Sequence, residues 1–466
     1  MTTDKNNQLE ILCGKCPQLE MLRASSDLQF YGQDASKHLT PNPTAILLPN
    51  RTEEVQQIVQ WANEHDIKLV PSGGRTGLSG GAVAAQAEVV ISLEKMNHII
   101  GFNTTDRTVT CQAGVVTAKL QEYACAQQLY YPVDFASSGS SQIGGNIATN
   151  AGGIRVLRYG LTRDWVSGLT VITGSGERLD LNQGLIKNAT GYDLRHLMIG
   201  SEGTLGIITE AKMQLTEPPV PQGVTLCALD NFADCLTILR TFRHRLRLSA
   251  FEFFSDKALN HVLQHNDLEA PFQQRSPYYL LAEYDYGSPG TQEALEQVFE
   301  ECFNQGWISD GIVAQSETQS QKLWQLRERV SESISNKTPY KNDISVCPSQ
   351  APIFLKELEQ LVNQAYPDYE IIWFGHIGDG NVHLNILKPE TLSHSEFLHQ
   401  CHQVSQLVGA TLHKHQGSVS AEHGVGLLKK EQLRYSRSEH EISLMKQLKL
   451  IFDPKQILNP GKIFDI

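Results

Sequence analysis

No stretch of this 466-residue chain approaches the roughly 18 uninterrupted apolar residues that a transmembrane helix requires. Residues 1–12 include charged side chains and lack the apolar centre of a signal peptide. The nine cysteines are an odd number and are scattered, which indicates a reducing compartment. We therefore expect a soluble, cytoplasmic protein.

Basic residues are outnumbered, with 39 Lys and Arg against 51 Asp and Glu and a formal net charge of −12. This balance argues against nucleic acid or an anionic membrane as the main partner, although a local basic pocket remains compatible with it. The C-x-x-C pair Cys13 and Cys16 has no second pair or nearby histidines, so the sequence does not predict a zinc ribbon.

The length allows two to four structural units of about 100–200 residues each. A change of composition at residues 218–221 (PPVP) marks a linker. Beyond it, two strand–helix–strand units, 223–254 and 278–314, predict a ferredoxin-like sheet with helices on one face. Later helices are predicted at 317–336 and 429–450, among others.

Three glycine-rich segments lie before the linker: 71–82, 137–153 and 200–209. The first has five glycines after a predicted strand, and freed backbone N–H groups of this kind can bind an anion. Neither a G-x-G-x-x-G opening a helix nor a G-K-[ST] loop is present. One such loop could be a simple turn, but three together favour backbones that approach a large flat ligand.

These segments resemble the FAD-binding domain of the vanillyl-alcohol-oxidase-type (PCMH-type) flavoproteins. The resemblance implies an α+β fold with a PCMH-type FAD-binding domain and a substrate (cap) domain that contains the ferredoxin-like antiparallel sheet. The expected divisions are a lead-in at 1–37, the FAD domain at 38–217, the cap domain with a metal site at 218–425, and a segment returning to the FAD domain at 426–466.

In that family the first loop holds the FAD pyrophosphate, the second segment lines the flavin, and the third segment and the C-terminal N-P-G-K complete the site. No histidine occurs in 71–82, where some relatives attach the flavin covalently, so the resemblance implies non-covalent FAD. The implied cofactor contacts are Ser72, Gly73, Gly74, Arg75, Thr76, Gly77, Leu78, Ser79, Ser140, Gly144, Gly145, Asn146, Thr149, Asn150, Gly152, Gly153, Glu202, Gly203, Gly206, Ile207, Ile208 and Asn459.

The second half carries a glycine-framed group of His376, His383 and Glu422. A G-D-G turn between the two histidines can bring both imidazoles together, and two His with one Glu form a typical catalytic metal set. These ligand types suit Zn²⁺ best, with Mn²⁺ or Co²⁺ as alternatives. Asp379 is expected to form the turn rather than bind metal. The other paired histidines are read as bystanders: His399, His402, His413 and His415.

The runs G-H-x-G-D-G-N-x-H and S-A-E-H-G-V-G resemble the metal-dependent D-2-hydroxy-acid dehydrogenases of this flavoprotein family. The H-x-N and S-A-E-H forms are most similar to its D-2-hydroxyglutarate branch, while D-malate, D-lactate and glycolate stay open as substrates. The resemblance implies that His423 acts as general base and that Asn385 helps to position the substrate.

A further stretch could hold carboxylates. Arg327 and Ser331 are four residues apart and should share a helix face, and Lys341 lies in a loop that enters a strand. On their own these residues could equally form ordinary ion pairs on a solvated helix. The resemblance implies that Arg327, Ser331 and Lys341 bind the carboxylates of the substrate.

The sequence contains no Fe–S cysteine pattern and no NAD fingerprint. We therefore expect the electrons to pass to a separate carrier, either an electron-transfer flavoprotein or the quinone pool, and we expect a homodimer. Two other kinds of protein remain open at this stage: a flavin-binding subunit without activity of its own and a protein that binds only metal.

Overall fold

The computed structural model describes residues 9–14, 16–36 and 39–466, and the chain divides into two compact units. Unit 1 comprises Met1–Gly153, Gly160–Pro218 and Glu422–Ile466, and unit 2 comprises Ile154–Tyr159 and Pro219–Ala421. The divisions predicted from the sequence were at 217/218 and 425/426, and residues 154–159 were not separated from the FAD domain. The predicted division at 37/38 and the first part of the predicted lead-in, 1–8, lie outside the described residues.

Unit 1 contains two sheets. Parallel pairing joins three strands of the first sheet, whereas the second sheet is antiparallel throughout. In spatial order the first sheet runs Glu20–Leu22, Ala45–Leu48, Val89–Ser92 and Leu69–Ser72. The second runs Ile99–Asn103, Thr108–Gln112, Gly206–Gln214, Val166–Thr173 and Arg178–Leu181. The helices of unit 1 include Ser25–Tyr31, Thr52–His65, Thr117–Ala126, Ile143–Thr149, Arg195–Met198 and Glu439–Phe452.

The C-terminal segment runs beside the strand Leu69–Ser72. The N–H of Leu69 donates to the carbonyl of Ile457 (2.7 Å), and the N–H of Asn459 donates to the carbonyl of Leu69 (2.7 Å). Leu69 and Leu458 are fully buried in the same apolar core as the helix Thr52–His65. The glycine loop that follows Ser72 therefore leaves a strand that is paired on both sides.

Unit 2 contains one antiparallel sheet of seven strands. In spatial order they are Asp310–Val313, Gln222–Leu229, Tyr278–Asp285, Leu248–Ser255, Ile371–Gly375, Asn381–Ile386 and Tyr340–Ser345. The first four have the chain order 4-1-3-2 of a ferredoxin-like sheet. The expected α+β class with this sheet is confirmed, and three further strands extend it.

Helices cover both faces of this sheet, whereas the sequence analysis expected them on one face only. Phe251 packs on Phe242 of the helix Cys235–Arg245, with ring centroids 6.1 Å apart. Phe254 is three residues further along the strand, so it points to the other face, where it shares a core with Trp324. The helices of unit 2 are Val156–Tyr159, Cys235–Arg245, Asp256–His265, Thr291–Asn304, Glu317–Glu328, Val330–Ser333, Ala351–Ala365 and His394–Lys414.

Two predicted helices are shorter than expected. The helix predicted at 317–336 ends at Glu328, because Arg329 takes a ψ of −1° and its guanidinium donates to Asn266 Oδ1 (2.7 Å). The helix predicted at 429–450 begins only at Glu439, where a capping box with Ser438 starts it. Among the described residues no helix has the length and apolar character to cross a membrane.

Candidate functional site

The first two glycine-rich segments touch in unit 1. A Cβ added to Gly74 would lie 2.1 Å from the carbonyl oxygen of Ser140, and one added to Gly73 would lie 3.8 Å from the Cα of Gly145. The first distance is too short for any side chain, so only glycine fits at position 74, whereas the second is an ordinary van der Waals contact. The structure therefore brings the loop after Ser72 against the second predicted cofactor segment.

The second segment forms the short helix Ile143–Thr149, which ends at Asn150 with a φ of 51°. Gly144 packs tightly, since an added Cβ would lie 2.6 Å from the Cβ of Ala113. Gly145, in contrast, has no atom within 4 Å of the position of an added Cβ. Asn146 uses its side chain inside the protein, donating to Thr117 Oγ1 (2.7 Å). Gly145 is therefore the position of this helix that a flat ligand could approach.

The third segment and the C-terminus meet the first loop through Asn459. Its Nδ2 donates to the carbonyls of Gly81 (2.9 Å) and Glu202 (2.6 Å). Three buried polar atoms in these segments have no hydrogen-bond partner in the described structure: Ser72 Oγ, Gln142 Oε1 and Asn459 Oδ1. Buried polar atoms normally find partners, so these fit a polar cofactor such as FAD.

Two predicted cofactor residues use their side chains elsewhere. The Glu202 carboxylate accepts the N–H groups of Val425 and Gly426, both at 2.7 Å, and burial raises its pKa. Glu202 therefore holds the loop that carries His423. The Arg75 guanidinium lies 4.3 Å from the ring centroid of Phe30 and pairs with Glu94 (3.5 Å). A cofactor contact of Glu202 or Arg75 stays a prediction.

The histidine-rich turn in unit 2 joins the strands Ile371–Gly375 and Asn381–Ile386. The rings of His376 and His383 are 5.3 Å apart between centroids. His376, His383 and Glu422 each offer one ligand atom, and these three atoms lie within 4.8 Å of one another. The three predicted ligands therefore converge, and two imidazole nitrogens with one carboxylate suit Zn²⁺.

A buried carboxylate lies behind each histidine. His376 Nδ1 is 2.8 Å from Glu252, and His383 Nδ1 is 3.7 Å from Asp343 Oδ1. Both carboxylates are only 1% exposed. The carboxylate hydrogen-bonded at Nδ1 of His376 leaves Nε2 as the metal-binding atom of that residue, as is common for histidine ligands, whereas 3.7 Å is too long for a hydrogen bond between His383 and Asp343. This backing is the observation in unit 2 that best fits a metal centre.

Glu252 is a residue of this group that was not predicted from the sequence. It lies in the otherwise apolar run Ser249-Ala-Phe-Glu-Phe-Phe254, and a single carboxylate in such a strand was the available signal. Asp379, read as a turn residue, accepts the N–H of Asn381 (3.1 Å). Burial raises the pKa of Asp379 to about 6.

The predicted carboxylate-binding residues lie in two places: Lys341 and Asn385 on paired strands, and Arg327 beside Glu252. Lys341 is the cross-strand partner of Asn385, and Asp343 is the partner of His383, so the two pairs lie side by side on one face. Burial lowers the pKa of Lys341, although the side chain keeps contact with solvent. Arg327 is 6% exposed and pairs with Glu252 (2.8 Å).

The expectation that Ser331 shares a helix face with Arg327 is wrong. The helix that carries Arg327 ends at Glu328, and Ser331 lies on the separate short helix Val330–Ser333. Ser331 is exposed, whereas Arg327 is buried. A substrate contact of Ser331 therefore stays a prediction without support from the helix geometry.

Comparisons with known proteins agree with both units. Residues 43–182 match the family "FAD binding domain", and residues 219–463 match "FAD linked oxidases, C-terminal domain". A solved p-cresol methylhydroxylase is similar in fold, with a TM-score of 0.76 at 15% identity, covering 100% of this chain and 98% of that one. The fold and the family matches thus define an FAD-dependent oxidoreductase of the PCMH-type class.

Curated relatives narrow the class. D-2-hydroxyglutarate dehydrogenase of Stutzerimonas stutzeri is 55% identical over 96% of both chains. The enzyme of the same name from Xanthomonas citri pv. viticola is 53% identical over 96% of this chain and 95% of its own. The mitochondrial enzyme of Rattus norvegicus is 39% identical over 90% of this chain and 77% of its own. The chain belongs to the D-2-hydroxyglutarate dehydrogenase family of FAD-linked oxidases.

Proposed function

We propose that the protein oxidises D-2-hydroxyglutarate to 2-oxoglutarate with non-covalent FAD and a divalent metal ion, first of all Zn²⁺. The observation that carries the proposal is the convergence of His376, His383 and Glu422 beside the Lys341–Asn385 pair. The names of the bacterial relatives support the same substrate.

The proposed reaction removes a hydride from the substrate carbon and a proton from its hydroxyl group. When bound, FAD supplies the hydride acceptor, and a divalent ion polarises the hydroxyl oxygen. His376, His383 and Glu422 hold the ion. His423 takes the hydroxyl proton, since imidazole is the side chain that most often does so near neutral pH.

The residues beside the metal ligands favour a dicarboxylate. His383 and Asn385 are two positions apart on one strand, about 7 Å, and Lys341 faces Asn385. No acidic side chain among the described residues pairs with Lys341. A monocarboxylate such as D-lactate or glycolate, bound at the metal end, would leave the Lys341 ammonium without a carboxylate to pair with. D-malate would supply a second carboxylate and stays a further proposed substrate.

Both electrons must then leave the flavin. We place the acceptor outside the chain, either an electron-transfer flavoprotein or the quinone pool. The homodimer and the cytoplasmic location stay predictions.

The test is an anaerobic titration of the metal-loaded protein with D-2-hydroxyglutarate, followed by the visible absorption of the flavin. We expect bleaching by the D form and not by the L form, and weaker responses to D-lactate and glycolate. A flavin-loaded protein that D-2-hydroxyglutarate does not bleach would overturn the substrate assignment.

Two variants sharpen the test. Lys341→Met should weaken the response to D-2-hydroxyglutarate far more than the response to D-lactate, because only the diacid presents a second carboxylate. His423→Ala should abolish turnover and leave the absorption spectrum of the bound flavin unchanged. Normal turnover by His423→Ala would show that another group takes the proton.

A further inference from the structure

One buried carboxylate in unit 2 contacts two residues of the proposed site at once. Glu252 is 2.8 Å from His376 Nδ1 and forms an ion pair with Arg327 Nη2 at 2.8 Å. Glu252 is 1% exposed, and Arg327 and His376 are 6% and 7% exposed. These three groups are therefore largely shielded from water, so their mutual contacts count more than surface ion pairs do.

The sheet register determines this contact. Phe253 pairs with Gly375 and Phe254 with Phe374, so the next position places Glu252 opposite His376. The last turn of the helix Glu317–Glu328 supplies Arg327, whose guanidinium lies 4.9 Å from the ring centroid of Phe374. Strand pairing and helix packing thus bring the carboxylate to both partners.

Each contact has a chemical consequence. A carboxylate at Nδ1 of His376 fixes the tautomer in which Nε2 carries the lone pair for a metal ion. The same carboxylate forms an ion pair with one end of the guanidinium, although its Oε2 has no hydrogen-bond partner in the described structure, and Arg327 Nε is buried without an acceptor there. A substrate carboxylate is the kind of acceptor that this N–H can take, since arginine binds carboxylates through several N–H groups.

We propose that Glu252 is a positioning residue that orients both the metal ligand His376 and the carboxylate-binding Arg327. The inference rests on the proposed metal-dependent function. Loss of the Glu252 charge should weaken metal binding and substrate binding together, although Glu252 itself touches neither.

A matched control lies on the adjacent strand. Glu283 is 3% exposed and also pairs with an arginine, Arg155, at 2.8 Å. It accepts a further hydrogen bond from Trp324 Nε1 (3.1 Å). Glu283 therefore shares the burial and the arginine partner of Glu252 but contacts no predicted metal ligand.

The experiment compares the wild type, Glu252→Gln and Glu283→Gln as FAD-loaded proteins stripped of metal. Zn²⁺ is titrated in competition with a chromophoric chelator, which reads affinity without activity. We expect Glu252→Gln to weaken Zn²⁺ binding about 10–100-fold and Glu283→Gln to change it less than about threefold. We also expect KM for D-2-hydroxyglutarate to rise in Glu252→Gln alone.

The outcomes separate this inference from the proposed function. A wild type that binds no Zn²⁺ would overturn the metal site and the inference together. A wild type that binds Zn²⁺, with Glu252→Gln binding equally well, would overturn only the role of Glu252. Should Glu252→Gln fail to fold, Glu252→Asp and Glu283→Asp decide by the same titration, since only the first withdraws a carboxylate from His376.

Discussion

The candidate site in unit 1 is built mainly from main-chain contacts, whereas that in unit 2 is built from side chains. In unit 1, the close approach at Gly74 brings main chains together, and Asn459 ties the segments by bonds to carbonyls. In unit 2, His376 follows one strand and His383 lies on the next, with a buried carboxylate near each histidine. The first arrangement should be sensitive to added atoms, and the second to lost functional groups.

The largest effect should follow from removing a functional group in unit 2. His383→Ala should lower turnover by about 10³-fold or more, because metal assistance is worth several kcal/mol at roughly 1.36 kcal/mol per tenfold. The flavin absorption should be unchanged, since His383 lies outside the three glycine-rich segments. Metal analysis and steady-state kinetics measure the two effects.

The control for this prediction is His399→Ala, which removes an exposed histidine whose Nε2 is 3.2 Å from Gln403 Nε2. It should leave metal content and turnover as they are. A His383→Ala protein that keeps its metal and its turnover would contradict the proposed ligand set.

The sequence predicted the parts of both candidate sites that are local in the chain, but not the contacts that join distant residues. Its glycine segments and the turn between His376 and His383 are local patterns, and the structure brings the members of each together. Glu252 gave no comparable pattern, because its partners are 75 and 124 residues away and meet it only through sheet register and helix packing.

Element boundaries show the same limit. The second strand–helix–strand unit, predicted at 278–314, begins at Tyr278 and ends at Val313. The helix predicted at 317–336 instead ends at Glu328. A hydrogen bond from Arg329 to the distant residue Asn266 accompanies this break, and such a contact cannot be read from the local sequence. The helix start at Glu439 is marked in the sequence by the capping box of Ser438 and Glu441, a local signal that the predicted start at residue 429 did not take into account.

Lys462 is an exception to the contrast between the two units, because it is a buried charged side chain in unit 1, where the candidate site is built mainly from main-chain contacts. Its Nζ donates to the carbonyl of Val83 (2.8 Å), and burial lowers its pKa from 10.5 to about 8. Between these pH values unfolding takes up a proton, so stability should rise with pH there. Below pH 8 the buried ammonium lowers the free energy of unfolding by its full amount, roughly 3 kcal/mol at about 1.36 kcal/mol per pH unit.

Lys462→Met should therefore stabilise the protein at pH 7, by about 2 kcal/mol after the loss of one hydrogen bond. The gain should shrink as the pH approaches 10.5. Urea unfolding of both proteins at several pH values measures this difference. Lys455→Met is the control, because Lys455 also donates to a carbonyl, that of Asn63 (2.7 Å), but is exposed. A gain that is independent of pH would contradict the burial argument.

Substitutions at the adjacent glycines Gly144 and Gly145 should separate an effect of added atoms on protein stability from an effect on FAD binding. Gly145→Ala adds a methyl group where the protein has no atom within 4 Å, so stability should hold while FAD affinity falls roughly tenfold. Gly144→Ala adds one 2.6 Å from the Cβ of Ala113 and should destabilise the protein itself by about 1–3 kcal/mol. Thermal unfolding and flavin titration of the apoprotein separate the two. Unchanged FAD affinity in Gly145→Ala would place the flavin away from this helix.

The smallest effect concerns Ser331, for which exposure and family resemblance disagree. Ser331 is exposed on its own short helix, so Ser331→Ala should change KM for D-2-hydroxyglutarate less than about twofold. Asn385 is 2% exposed, and its Nδ2 is buried without a partner in the described structure, so Asn385→Ala should raise KM about tenfold or more. Equal increases in the two variants would mean that a hydroxyl reaches the substrate from an exposed position. The more sensitive residue should be the one whose polar group the fold has already removed from water.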